Sequence, residues 1–147
     1  MMKEMPELAE EAVEAAGFWE LELDYSAESL EAVETLAQKI FMAGRMFSLP
    51  EDVLLGIANL YGAYLGEVLL RCGLQDLGFA WQDNGEGETG IGREDMWMGP
   101  SNKVYKRMTL GPEHSLVDFF ECMFGLAIGA VDLTDPRMHV LSEEEAS

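Results

Sequence analysis

One stretch of this chain fits only the interior of a fold. Between Val53 and Cys72 nearly every position of a helical wheel is apolar, and a helix that is hydrophobic all round belongs in a core. Ser48-Leu49-Pro50-Glu51 precedes it with the pattern of a capping box, and Pro50 falls in the first turn, where it costs little. Gly73 supplies the stop. One face carries small residues, Gly56, Asn59, Gly62, Ala63 and Gly66. A second stripe, Gly125 and Gly129, lies on the last helix, read over 113–131. Glycine inside a helix costs about 1 kcal/mol, so the two stripes predict close packing through Gly62, Gly66, Gly125 and Gly129. The packing is either a helix crossing within the chain or the seam of a homodimer.

The flanking segments divide into helices and short strands. Residues 7–16 read as a short acidic helix ended by Gly17. From Trp19 to Tyr25 apolar and acidic residues alternate, which predicts a half-buried strand with Glu20, Glu22 and Asp24 outward. Ser26 is an N-cap for a helix reaching Gly44, with Leu30, Val33, Ala37, Ile40 and Phe41 as its inner stripe. Phe79-Ala80-Trp81 and Met96-Trp97-Met98 read as strands, Asp83 to Gly92 as a glycine- and acid-rich loop, and Lys103 to Leu110 as a third strand. Gly111-Pro112 opens the last helix. The fold class is therefore α+β, about three main helices on a small antiparallel sheet. The expected organisation is an acidic segment over 1–17, one domain over 18–133 and a flexible acidic tail over 134–147, ending in Glu143-Glu144-Glu145.

Charge narrows the function classes. The 147 residues carry 28 acids against 9 bases, a net charge of −19. Phosphate neutralisation needs clustered Lys and Arg, so nucleic acid and anionic lipid are not expected partners. A basic protein is, although solubility alone would also account for such a charge. The first 34 residues hold eleven acids and only Lys3. Glu28, Glu31 and Glu34 on the outer side of one helix, with Glu86 and Glu88 in the loop, form the candidate acidic interaction surface. No transmembrane span is expected, because the longest uncharged stretch, Val53 to Gly66, falls short of the about 20 residues a bilayer needs. The N-terminus has no signal-peptide pattern. Cys72 and Cys122 sit in apolar helical runs without a CxxC, which reads as two buried free thiols in a reducing cytoplasm.

No catalytic or metal signature is complete, and neither cofactor nor metal is expected. Gly85 to Gly90 spells GxGxxG, but no helix follows and Glu86 and Glu88 would repel phosphate. Asp83, Glu86, Glu88, Glu94 and Asp95 lack EF-hand spacing. His114 stands near Ser115 and Asp118, yet neighbours on one helix do not face each other as a triad requires. His139 lies in the tail. The sharpest candidate is Glu67, a carboxylate in the apolar helix with Arg71 one turn on. It reads either as a buried ion pair with Arg71, Lys106 or Arg107, or as a carboxylate in a pocket. Lys103, Tyr105 and Arg107 on one strand face would answer Glu20, Glu22 and Asp24.

Leu23-Asp24-Tyr25 with Ser29-Leu30, then Gly62-Ala63-Tyr64-Leu65-Gly66-Glu67-Val68, then Trp81, Pro100, Val104, Lys106-Arg107 and Gly111 carry a resemblance. Over roughly residues 23 to 127 the pattern resembles a group of uncharacterised bacterial domains with a GAYxGEV-type helix followed by a Trp strand and a Lys-Arg strand. The resemblance implies a fold class and no activity. By analogy of class, small acidic bacterial proteins of this size include immunity partners of basic toxins. The expected function is a non-catalytic interaction module for a basic protein, monomeric or homodimeric. The alternative is a small-molecule-binding or hydrolytic domain with a pocket around Glu67 and Arg107.

Overall fold

Pro6 and Glu7 in a first turn, followed by alanines at helical spacing, start α1 (Met5–Gly17). Ala9, Ala12 and Ala16 are buried against α3 (Glu51–Leu69), and their small side chains let the two helices approach closely. The structure, a computed structural model, describes residues 4–85, 88–94 and 96–127. α2 (Leu30–Met46) turns its Leu30, Val33, Leu36 and Ala37 stripe inward. α3 packs against both α1 and α4 (Pro100–Leu110), and α5 (Leu116–Ala127) lies against α2 and α4. Past Leu69 the chain widens into a π turn over Leu70–Leu74, where Gly73 takes a φ of 148°. The stretch Glu51–Leu77 is long and apolar enough to cross a membrane, but 61% of its most apolar window is buried inside the fold, as in a core helix.

Three antiparallel strands, β1 (Ala80–Asp83), β2 (Thr89–Arg93) and β3 (Met96–Met98), pair in sequence order. Trp81 stands opposite Ile91, and Ile91 opposite Met98. The described residues form a single α+β domain, and Ala9, Ala12 and Ala16 of α1 lie in its core. Residues 128–147, which include Gly129, His139 and the expected tail, lie outside the described residues, as do Glu86, Gly87 and Asp95.

Several expectations are corrected. Residues 19–25 form no strand. Glu20 and Tyr25 have positive φ, 60° and 65°, which breaks an extended run. The alternation sorts side chains only in part: Leu23 is buried, Leu21 and Tyr25 are half-buried, Glu20, Glu22 and Asp24 are exposed, and Trp19, expected inward, is exposed as well. Residues 103–110 are helix, not strand. Their buried set, Lys103, Val104, Arg107 and Met108, recurs at i, i+1, i+4 and i+5 behind Pro100 in the first turn. The proposed pairing of Lys103, Tyr105 and Arg107 with the acids of 20–24 falls with that strand. β2 occupies part of the expected loop. At Gly90 a Cβ would overlap the Trp97 ring and the Met98 carbonyl, so the glycines that suggested a loop are what let this strand lie flat under its neighbours. Ser48 caps nothing, since α3 begins after Pro50 without a side-chain cap. Cys72 is exposed and Cys122 half-buried, rather than both buried, and the two form no disulfide.

Candidate functional site

Two carboxylates, Glu67 buried and Glu34 half-buried, organise the interior, and they belong to different networks. Glu67, on α3, is only 7% exposed. Trp81 Nε1 donates to its Oε2 at 2.8 Å, while Arg71 Nε and Nη2 reach its Oε1 at 3.1 and 3.0 Å. Gly66 makes room for this geometry, because a Cβ there would overlap the Trp81 ring. The Arg71 guanidinium, partly open to solvent, lies 3.6 Å from the centroid of Tyr25, a cation–π contact. Tyr25 in turn donates its hydroxyl to Glu10 Oε1 at 2.9 Å and its N–H to the Tyr64 hydroxyl at 2.8 Å. Tyr64 shares a 2.6 Å hydrogen bond with Ser29. Ser26 accepts from the Ser29 N–H and so caps the turn that leads into α2, as its place in the sequence predicted.

Desolvation, then the hydrogen bond to Glu10, pushes the Tyr25 phenol up to about 12. Burial also raises Tyr61 and Tyr64, and the Glu51 carboxylate that accepts from Tyr105 at 2.7 Å raises Tyr105. Desolvation likewise raises the Cys72 thiol, whose sulfur is directed at the Tyr25 carbonyl, so it is a poorer nucleophile than a free thiol.

Glu34 anchors the second network. Arg107 Nε donates to its Oε2 at 2.7 Å, and Arg107 is 5% exposed. The other oxygen, Oε1, accepts from the Ser115 hydroxyl at 2.8 Å and from the backbone N–H groups of Leu116 and Val117. These are the orphan donors of the first turn of α5, and a carboxylate there also meets the positive end of the helix dipole. Ser115 Oγ accepts from the Asp118 N–H, so its hydroxyl is an N-cap and not a nucleophile. His114 is buried in the turn just before it.

The expected site residues therefore do not converge. Glu67 joins Arg71, whereas Arg107 joins Glu34 across the fold, and the two networks share no residue. Lys106 is half-buried on α4. Of the candidate acidic surface, Glu28 and Glu31 are exposed, Glu34 is drawn inside, Glu88 is exposed beside Asn84, and Glu86 falls outside the described residues. Gly62 fits against the backbone of Ser101 on α4, and Gly66 against Trp81. Thus the close neighbours of this stripe are α4 and β1. Gly125 is half-buried on α5.

No family model, curated protein or solved structure matches the chain.

Two surface features stand out. Between residues 4 and 31 the acids are Glu4, Glu7, Glu10, Glu11, Glu14, Glu20, Glu22, Asp24, Glu28 and Glu31, with no Lys or Arg among them. All but Glu11 are exposed. Meanwhile Lys103 and Arg107, two of the nine bases, are buried at 5% exposure each. The second feature, which sequence reasoning missed, is a groove of about 310 Å³ where the end of α2 meets the start of α3 and the end of α4. Its walls are Phe41, Phe47, Leu49, Leu54 and Met108. Met46 and Phe47, beside it, are 75% and 66% exposed. The signal was present as apolar residues running past Gly44, where the inner stripe of α2 should already have ended.

Proposed function

We propose that this chain is a non-catalytic interaction module that offers its acidic N-terminal surface to a basic protein partner. The observation that supports it is charge segregation. Residues 4–31 carry nine exposed acids and no base, while two of the nine cations are buried inside the fold. The exposed acids of this segment thus have no neighbouring base in sequence to offset them. Both interior carboxylates have their oxygens engaged by donors, which leaves the exposed acids as the groups open to a partner. Glu28 and Glu31 remain in the surface proposed from sequence, and Glu7, Glu14, Glu20 and Glu22 extend it. In this reading the module works in a bacterial cytoplasm in an immunity-like manner, its two cysteines, which form no disulfide, in keeping with a reducing compartment.

Complementary charge acts first on encounter. The association rate with a basic protein captured from the native cell should fall steeply with ionic strength, because exposed charges are screened over about 8 Å at physiological salt. Glu28→Lys and Glu31→Lys together should slow association without moving the melting temperature. A rate indifferent to salt would sink the proposal.

A further inference from the structure

The groove between α2, α3 and α4 has no carboxylate in its lining. In a chain with 28 acids, Arg45 is the one charged residue that lines it. Arg45 sits in the last turn of α2 with its guanidinium 5.7 Å from the centroid of the Phe41 ring. It makes no ion pair among the described residues. Arg71 and Arg107, by contrast, are held by Glu67 and Glu34, and Arg93 by the carbonyls of Leu77 and Ala127. The remaining polar groups of the groove are the hydroxyls of Ser48 and Thr109. Thr109 already donates to the Tyr105 carbonyl, which leaves Ser48 and Arg45 to meet a ligand. Apolar side chains and a few polar groups share the lining of an open space of about 310 Å³, which is large enough to admit a small ligand.

We propose that this groove binds a small amphipathic carboxylate, an aliphatic or aromatic body lying against Phe41, Phe47, Leu54 and Met108 with its anionic head on Arg45. The size of the space limits the body to a short acyl chain or a single ring system. The sign of the rim selects the head. An amine of the same length would meet the guanidinium with like charge, and a neutral alcohol would forgo the ionic contact. The site is separate from the acidic N-terminal surface and does not depend on it.

The test uses the full chain, isotopically labelled and followed by heteronuclear NMR. It is titrated with octanoate, octanol and octylamine, each below the concentration at which it aggregates. Octanoate should bind saturably, with shift changes centred on Phe41, Arg45 and Leu49, and octylamine several-fold more weakly. Arg45→Gln should weaken octanoate roughly fivefold, the upper range for an exposed ionic contact, and leave octanol unchanged. Gly44→Leu should fill the groove and abolish binding of all three. The Cβ position of Gly44 meets only Leu49 Cδ1, at 3.7 Å, so this variant keeps the helix. The proposal is overturned if octanoate does not saturate, if it binds no better than octylamine, or if Arg45→Gln leaves its affinity intact.

Discussion

Glu34 shows how misleading a single carboxylate is when read from sequence. It stands on the nominally outer side of α2 with Glu28 and Glu31, yet it caps α5 and neutralises Arg107. Glu34→Gln should cost about 3 kcal/mol, because removing one partner of a buried pair leaves the other uncompensated. Glu31→Gln should stay within about 0.5 kcal/mol. Denaturant melts of the two variants give the comparison, and equal midpoints would contradict the role assigned to Glu34. For Glu67 the expected loss is smaller. Its partner Arg71 is partly solvated, so screening reduces the ionic contribution, and Glu67→Gln keeps an acceptor for Trp81. About 1 kcal/mol is expected for Gln and about 2 kcal/mol for Leu, which strands the indole N–H. The tyrosines make a pH prediction with a definite sign. All four are raised in the fold, Tyr25 to about 12. A raised phenol contributes stability that is whole below its unfolded value near 10 and is lost as pH climbs through the folded one. Stability should therefore fall between about pH 10 and 12, and Tyr25→Phe should fall less. Ultraviolet titration of the folded chain should show phenolate appearing later than in denaturant.

At the level of elements, legibility followed the purity of the pattern. The apolar wheel of α3, the stripe of α2 and the Met96-Trp97-Met98 strand were readable because side-chain type and burial agree there. α4 was not, because its inward face carries Lys103 and Arg107, so an apolar count sees alternation where the backbone makes a helix. β2 was hidden by Gly90 and Gly92, which close approach requires and which a composition rule assigns to loops. The segment 19–25 alternates in type, but it pairs with none of the three strands and two left-handed residues break the extended run, so Trp19 is left exposed. Glu67 with Arg71 was visible from i, i+4 spacing, while its bond to Trp81 depends on a tertiary approach that no local pattern reports. The small stripe of α3 yields the prediction at this scale. Gly62→Ala would press a methyl into the Ser101 backbone, and Gly66→Ala into the Trp81 ring. Each should cost about 1–3 kcal/mol as overpacking, whereas Gly56→Ala, with open space around it, should be neutral or stabilising by helix propensity. Thermal melts showing the same shift for all three would contradict the packing described.

For the whole molecule the arrangement of charge matters more than its total. Two buried cations and nine exposed acids over residues 4–31 set this segment apart, and position, not net charge, is what an interaction surface requires. A pair of charge-reversed proteins separates the two. In one, Glu7, Glu14, Glu28 and Glu31 become Lys. In the other, Asp76, Asp83, Glu94 and Glu113, exposed acids outside that region, become Lys, giving the same net charge. Both are used with the unaltered chain to capture proteins from the native cell at low salt, with mass spectrometry as the readout. The account predicts that the unaltered chain and the second variant retain the same basic protein while the first variant loses it. Equal loss from both variants, or no basic protein retained by the unaltered chain, would contradict it.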